Sequence, residues 1–196
     1  EPEEVRALVR PDVPREAVAA LATLAQRVGA YKLGRRLGGI SQWPLGREPL
    51  DPDSLPRWAL AYPRGYESTV TKAAEDQKLP AAFLYGVIHE ESGFEPRAFS
   101  SAHAIGLMQL LLGTAQRFAQ TAGVEGSISR RRLNRPSVNV AIGAAFLRFL
   151  ADRYPDRMVL LPAAYNAGEG RLDRWLAAHG SRPLDQFVEA IPFDST

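Results

Sequence analysis

Apolar residues at helical spacing dominate the chain after about residue 65. Positions three and four residues apart are apolar in two long segments, and no alternating strand pattern competes with them. The two runs are Tyr66, Val70, Ala73 and Ala74 in the first segment and Val138, Ile142, Ala145 and Phe149 in the second. This pattern predicts an all-α domain over residues 61–196.

The first 60 residues have a different pattern. Apolar positions from about residue 14 to 40 predict a short helical pair, with breaks near Gly29 and again at Gly38-Gly39. The stretch from Ser41 to Arg64 contains five prolines and little periodicity, which predicts an extended linker. Three aromatic residues are expected to hold this linker against its neighbours: Trp43, Trp58 and Tyr62. We therefore expect two units, a helical segment with a Pro-rich linker over residues 1–60 and a helical domain over residues 61–196.

One carboxylate interrupts an apolar helix face. Residues 80–92 are predicted to form one helix, on which four apolar side chains spread over an arc of roughly 140°. Glu91 lies near the middle of that arc, whereas Glu90 lies at its edge and His89 on the far side, where we expect a solvated histidine. The apolar residues of the arc are Phe83, Leu84, Val87 and Ile88.

A carboxylate that faces a core is costly when it is ionised, so Glu91 needs an explanation. It is either a structural residue satisfied by backbone amides or a tyrosine hydroxyl, or a catalytic acid. Gly93 and Pro96 should end the helix, which places Glu91 in the last turn, where it can open onto a cleft.

Two later clusters are also candidates for chemistry. In residues 106–109 (Gly-Leu-Met-Gln), the glycine permits close backbone approach and Gln109 offers both a donor and an acceptor. In residues 164–168 (Ala-Tyr-Asn-Ala-Gly), Tyr165 and Asn166 precede a glycine. Taken alone, the first cluster is typical of a helix start and the second of a helix C-cap.

The order and spacing of these motifs resemble the catalytic domain of lytic transglycosylases, particularly the soluble type related to goose-type lysozyme. The resemblance covers about Ala61 to Thr196 and implies a lysozyme-like fold for this part. The junction at residues 60–64 also looks like the family's link to an upstream helical superhelix. The motifs that carry the resemblance are Glu91-Ser92-Gly93-Phe94, Ser100, Gly106 to Gln109, Asn139 to Leu150, Ala164 to Gly168 and Ile191-Pro192-Phe193.

The resemblance implies cleavage of the bond between N-acetylmuramic acid and N-acetylglucosamine in peptidoglycan, without water, to a 1,6-anhydromuramyl end. Glu91 would act first as the acid and then as the base, with its pKa raised by burial. No cofactor is implied. Ser92 is expected to support the acid, and the substrate contacts expected by position are Ser100, Met108, Gln109, Leu111, Tyr165 and Asn166.

Several positions depart from the family pattern. His103 occupies a usual glycine position, which is strained if φ is positive there, and Leu111-Leu112 replaces Met-Pro. Glu169 replaces a proline, Ser195 replaces a glutamate that commonly reaches the substrate, and the family's next helix lies beyond Thr196. Two alternatives therefore stay open: a hydrolytic muramidase, which usually needs a second acid, and a non-catalytic peptidoglycan-binding module.

Composition excludes other kinds of site. The 196-residue chain contains no cysteine, which excludes disulfides, thiolate metal sites and a cysteine nucleophile. His103 and His179 lack metal-ligand spacing, so we expect no metal. The formal net charge is only +2, and the run of arginines at 130–132 is expected to be a solvated loop and not a nucleic-acid contact.

The remaining expectations concern location and assembly. No apolar run reaches the roughly 18 residues that a membrane span needs. No signal peptide opens the chain, which suggests a processed or trimmed piece. The substrate implied by the resemblance would place the protein in the periplasm or cell envelope, with peptidoglycan strands as its partner. We expect a monomer.

Overall fold

The computed structural model describes residues 13–41 and 51–191, and over these ranges the secondary structure is α-helical apart from one 3-10 turn and two isolated β-bridges. This confirms the predicted all-α class. The helices are α1 (Arg15–Arg27), α2 (Tyr31–Ser41), α3 (Leu55–Ala61), α4 (Glu67–Gln77), α5 (Ala81–Glu91), α6 (Leu112–Phe118), α7 (Arg130–Leu133), α8 (Pro136–Arg153), α9 (Leu161–Ala167), α10 (Glu169–His179) and α11 (Leu184–Glu189). None of them, within the described ranges, combines the length and apolarity that a bilayer crossing requires.

The expected helical pair is α1 and α2, which pack against each other across a turn where Gly29 has a φ of 78°. Their small core consists of Val18, Ala22 and Leu37. The predicted break at Gly38-Gly39 is wrong, because α2 continues to Ser41. Gly38 instead allows α2 to approach α3, since a Cβ at this position would collide with the carbonyl group of Leu60.

The prediction of an extended linker is wrong over residues 55–61, where α3 forms. Asp51 and Ser54 hold the start of this helix: the Ser54 amide donates to the Asp51 carboxylate at 2.8 Å, and the Asp51 amide donates to the Ser54 hydroxyl at 3.0 Å. Pro56 lies in the first turn, where the missing N–H costs nothing. Tyr62 stacks on His89 with ring centroids 4.8 Å apart, as expected for an aromatic anchor, whereas Trp43 lies outside the described residues.

The larger core lies around α8. This helix buries nine of its residues, and α4, α6, α7 and α9 pack against it. The predicted apolar faces are confirmed, because Val70 and Ala73 of α4 and Ile142 and Ala145 of α8 are buried. α5 joins this core through Leu84 and Ile88. The proposed division of the chain near residue 60 stays a prediction.

Candidate active site

Glu91 lies in the last turn of α5, where this helix leaves the core and forms part of the wall of a cleft. Leu84 and Ile88 are fully buried on the inner face of the helix, and Glu91 follows Ile88 by three residues. Helical rotation therefore keeps the carboxyl group on the side that faces the protein interior. Because the helix ends at Glu91, this side chain is half-buried and lines a cavity of about 660 Å³.

Three segments form the walls of this cleft. α5 provides one wall along nearly its whole length, from Ala81 to Glu91. The second wall consists of Tyr62, Pro63 and Arg64, and the third comes from α9. The side chains that α9 contributes are Pro162, Tyr165 and Asn166. The cleft is thus an open, largely apolar groove with a carboxyl group at one end of α5.

Burial, with a smaller contribution from the neighbouring carboxylate of Glu90, raises the pKa of Glu91 from 4.5 to about 7. Removal from water disfavours the charged form, and a second negative charge adds to this effect. A carboxyl group with a pKa near 7 is substantially protonated at neutral pH and can also act as a base after it has lost its proton.

The chain turns sharply after Glu91. Gly93 and Phe94 both adopt left-handed backbone conformations, with φ of 58° and 70°, and the Phe94 side chain is buried. Ser92 caps the helix, and its hydroxyl donates to the Ile88 carbonyl at 3.3 Å. A left-handed phenylalanine is unfavourable by itself, so burial of its ring must hold this turn in place.

A buried asparagine on α8 holds the loop over residues 98–110 through hydrogen bonds. The side chain of Asn139 accepts from the Met108 amide at 2.8 Å and donates to the carbonyls of Ile105 and Leu133 at 2.9 and 3.0 Å. Gly106 is required here, because a Cβ would collide with the Asn139 amide group. Asn139 thereby fixes the backbone of the Gly-Leu-Met-Gln motif.

The same loop reaches Tyr165 through a short hydrogen bond. The Tyr165 hydroxyl donates to the Met108 carbonyl at 2.6 Å. Burial raises the pKa of this hydroxyl well above its usual value, and the nearby Glu91 carboxylate raises it further. The Met108 side chain is fully buried, so the contribution that this residue makes to the site runs through its backbone.

The other residues expected to contact substrate lie along the loop. Gln109 has a φ of 45° and donates to the Gly106 carbonyl at 2.9 Å. The Ser100 hydroxyl accepts from the Ala104 amide at 3.1 Å, and Leu111 is half-exposed at the start of α6. His103 has a φ of 64°, so the usual glycine position does have a left-handed backbone, where a residue with a Cβ is less favourable than glycine.

The model of one family, described as the transglycosylase SLT domain, matches residues 68–188, which is more than half of the chain. The chain belongs to the transglycosylase SLT family. Its SLT domain therefore begins just after the N-cap of α4 and ends within α11. The matched residues include Glu91 with the turn that follows it, the loop over residues 98–110, and the pair Tyr165-Asn166.

The relatives and solved structures that are similar to this chain are named as lytic transglycosylases. A putative soluble lytic murein transglycosylase of Haemophilus influenzae is 37% identical over 139 residues, which are 70% of this chain and 23% of the relative. The 70 kDa soluble lytic transglycosylase SLT70 of Escherichia coli superposes with a TM-score of 0.78 at 25% identity, over 95% of this chain and 28% of that one.

A second solved structure is an inactive glutamate-to-glutamine mutant of the lytic transglycosylase Slt of Pseudomonas aeruginosa. It matches with a TM-score of 0.74 at 30% identity, over 93% of this chain and 28% of that one. The SLT chain described here spans about a quarter of the length of these relatives.

The structure brings together only part of the predicted site. Glu91, Tyr165 and Asn166 line one cleft. The Ser92 hydroxyl donates to the Ile88 carbonyl at the end of α5, and the Met108 carbonyl accepts from the Tyr165 hydroxyl, so both residues hold parts of the site in place. The cleft lining in the described part of the chain does not include Ser100, Gln109 or Leu111, which lie on the loop that continues from Met108.

Two predictions about basic residues need correction. His89 is not solvated: its side chain is only 16% exposed, stacks on Tyr62 and lies 3.1 Å from the Arg35 guanidinium of α2. The arginine run forms the short helix α7 instead of a loop, because the Ser129 hydroxyl caps it and Arg132 donates to the carbonyls of Glu125 and Ser127.

Sequence reasoning missed several residues of the site. Asn139 was a polar residue among buried positions of α8, the same kind of signal that identified Glu91, but it was not given a function. Tyr62, which was expected only to anchor the linker, lines the cleft, as do Arg64 and Tyr85, for which the local sequence carried no signal. Of the departures from the family pattern, Glu169 forms an ion pair with Arg117 at 2.8 Å, whereas Ser195 lies outside the described residues. Over the described ranges, no cluster of His, Asp and Glu side chains could hold a metal ion.

Proposed function

We propose that this protein is a peptidoglycan lytic transglycosylase that cleaves the bond between N-acetylmuramic acid and N-acetylglucosamine to 1,6-anhydromuramyl products. The observation that carries the proposal is the half-buried Glu91 carboxyl group, whose pKa is raised to about 7 where α5 ends at an open cleft. Membership of the SLT family and the names of the matched transglycosylases support the same activity.

In the first step the protonated Glu91 donates its proton to the glycosidic oxygen, and the bond between this oxygen and C1 of the muramyl sugar breaks. The resulting Glu91 carboxylate then takes the proton of the C6 hydroxyl on the same sugar. O6 forms the new bond to C1, and Glu91 is again protonated. One residue with a pKa near the working pH can perform both transfers.

The carboxylates in the cleft favour this single-acid route. The described lining contributes Glu90 and Glu91, which are adjacent in the last turn of α5. Two-carboxylate glycosidases place their acids on opposite sides of the scissile bond, about 5 to 9.5 Å apart across the sugar. Neighbours on one helix turn do not have this arrangement, so the hydrolytic muramidase stays the alternative and not the main proposal.

The cleft suits a glycan strand. Its apolar wall of α5 offers surface to sugar rings, and Tyr165 and Asn166 lie beside the acid. We propose that these two residues bind the glycan strand. Gln109, Ser100 and Leu111 extend the contact along the loop. Ser92 and Met108 hold the residues that contact the strand in place. The substrate places the protein in the cell envelope, and we propose that it acts there as a monomer on peptidoglycan.

The test is incubation of the protein with purified peptidoglycan, followed by mass spectrometry of the released muropeptides. Products one water lighter than the hydrolytic ones support the proposal. Hydrated products with a reducing end would instead establish a muramidase. No products, together with sedimentation of the protein with insoluble cell wall, would identify a binding module.

A further inference from the structure

Arg35 on α2 reaches the helix that carries Glu91. Its Nη1 lies 3.1 Å from Nε2 of His89. A guanidinium group can only donate, so Nε2 must be the acceptor and the proton of the neutral imidazole must sit on Nδ1. Nδ1 in turn lies 2.8 Å from Oε1 of Glu90 and donates to it. A chain of two hydrogen bonds therefore joins α2 to the residue beside Glu91.

The guanidinium group of Arg35 also lies against the turn that follows Glu91. A Cβ built on Gly93 would be 2.9 Å from Nη2 and 3.1 Å from Nε of Arg35, so the arginine occupies the space that a side chain would fill. The Gly93 amide donates to the His89 carbonyl at 3.2 Å. Arg35 thus contacts the His89 side chain in the last turn of α5 and the turn at Gly93 that follows this helix.

This placement is costly for an arginine. Its Nε is buried and has no hydrogen-bond partner among the described residues. The end of α5 offsets part of this cost, because the last carbonyls of a helix carry partial negative charge that favours a nearby cation. The stacking of Tyr62 on His89 adds a second contact from the N-terminal side of the chain.

We propose that Arg35 is a positioning residue for Glu91: through His89 and the backbone at Gly93 it fixes the last turn of α5. The residues matched by the SLT family model begin at 68, so this function belongs to a helix outside the matched domain. The α1–α2 pair is then part of the catalytic unit. This inference rests on the proposed function of Glu91.

Positioning affects turnover more than binding. Arg35 does not line the described cleft, so its loss should leave the substrate contacts in place. A small displacement of the acid, however, lowers the rate of proton transfer steeply. The expected signature is a fall in kcat with little change in KM.

The kinetic test compares Arg35→Gln, Arg35→Lys and Glu91→Gln with the unmodified chain on soluble glycan strands. Arg27→Gln, at the exposed end of α1, is the matched control. We expect Arg35→Gln to lower kcat about tenfold with KM changed less than about twofold. Arg35→Lys, which keeps a donor for His89, should regain at least half of the loss, and Arg27→Gln should match the unmodified chain. A kcat above half of the original in Arg35→Gln, a matching rise in KM, or no rescue by lysine would overturn the proposal.

Amide hydrogen exchange separates this inference from the proposed function. We expect Arg35→Gln to accelerate exchange at Ser92 and Gly93 about tenfold relative to Arg27→Gln, with Ile88 unchanged. Unchanged rates at Ser92 and Gly93 would overturn the positioning contact, whatever the activity. If the unmodified chain releases no muropeptide, the proposed function fails, and the exchange rates alone then decide whether Arg35 holds the turn.

Discussion

Replacement of Glu91 by glutamine should favour the folded protein more at alkaline pH than at acidic pH. The pKa of Glu91 is raised in the folded state, so the folded protein binds this proton more tightly than the unfolded chain does. Its stability must then fall as the pH rises from about 4.5 to about 7. Above that range the folded protein carries a partly buried, ionised carboxylate, whereas a glutamine stays neutral at every pH.

The size of the effect follows from the shift. The rise in the pKa of Glu91 from 4.5 to about 7 corresponds to a free-energy cost of about 3 kcal/mol for the ionised relative to the protonated carboxyl group. The side chain is only half-buried, so solvent screening reduces the cost of its ionisation to about 1–2 kcal/mol. Glutamine also changes local contacts, but that contribution does not depend on pH.

The assay is denaturant unfolding of the unmodified chain and of Glu91→Gln at about pH 5 and about pH 8. We expect the difference in free energy of unfolding between the two proteins to shift by about 1–2 kcal/mol in favour of glutamine at the higher pH. Glu75→Gln, at an exposed position on α4, is the control and should show no such shift. The same difference at both pH values for Glu91→Gln would refute the burial argument.

Substitutions at three further positions test how the site is held in place. Asn139→Ala should lower the free energy of unfolding by about 2–3 kcal/mol in denaturant titrations, because the Met108 amide and the Leu133 carbonyl lose this partner and the Ile105 carbonyl keeps only the Leu110 amide; a loss below about 1 kcal/mol would contradict this account. Tyr165→Phe should lower both kcat and stability, the latter by about 1–2 kcal/mol, since the Met108 carbonyl loses its donor, and unchanged turnover would argue against Tyr165 as part of the site. His103→Val should cost about 1–2 kcal/mol in thermal or denaturant unfolding, because a β-branched residue is unfavourable at positive φ, whereas His103→Asn should be nearly neutral; equal effects of the two would remove the strain argument.

The sequence was sufficient for the features that depend on local periodicity. The 3.6-residue repeat identified the buried faces of α4 and α8 because burial of one helix side imposes that spacing. The same reasoning placed Glu91 on the inner face of α5 and in its last turn, where the structure has it. A charged residue in an apolar pattern needs an explanation, since an ionised carboxylate that faces a core is costly, but the pattern by itself does not separate a structural from a catalytic residue.

The features that depend on distant segments could not be predicted. Gly38 looked like a helix break, yet it is the contact point with α3, because the approach of another backbone leaves no trace in local sequence. His89 was assigned to solvent since it lies opposite the core face of α5, but α2 and Tyr62 cover that side. The hydrogen bonds of Asn139 similarly join α8 to a loop more than 30 residues away.

The measurement that tests the central claim most directly is release of anhydro-muropeptides by Glu91→Gln and by Glu90→Gln, compared with the unmodified chain. The two glutamates are adjacent on α5, but the Glu90 side chain is exposed, whereas burial raises the pKa of Glu91 to about 7, which suits an acid that works at neutral pH. We predict that Glu91→Gln abolishes product formation while the protein still sediments with cell wall, and that Glu90→Gln still forms the product. Product formation by Glu91→Gln at the original rate would contradict the account.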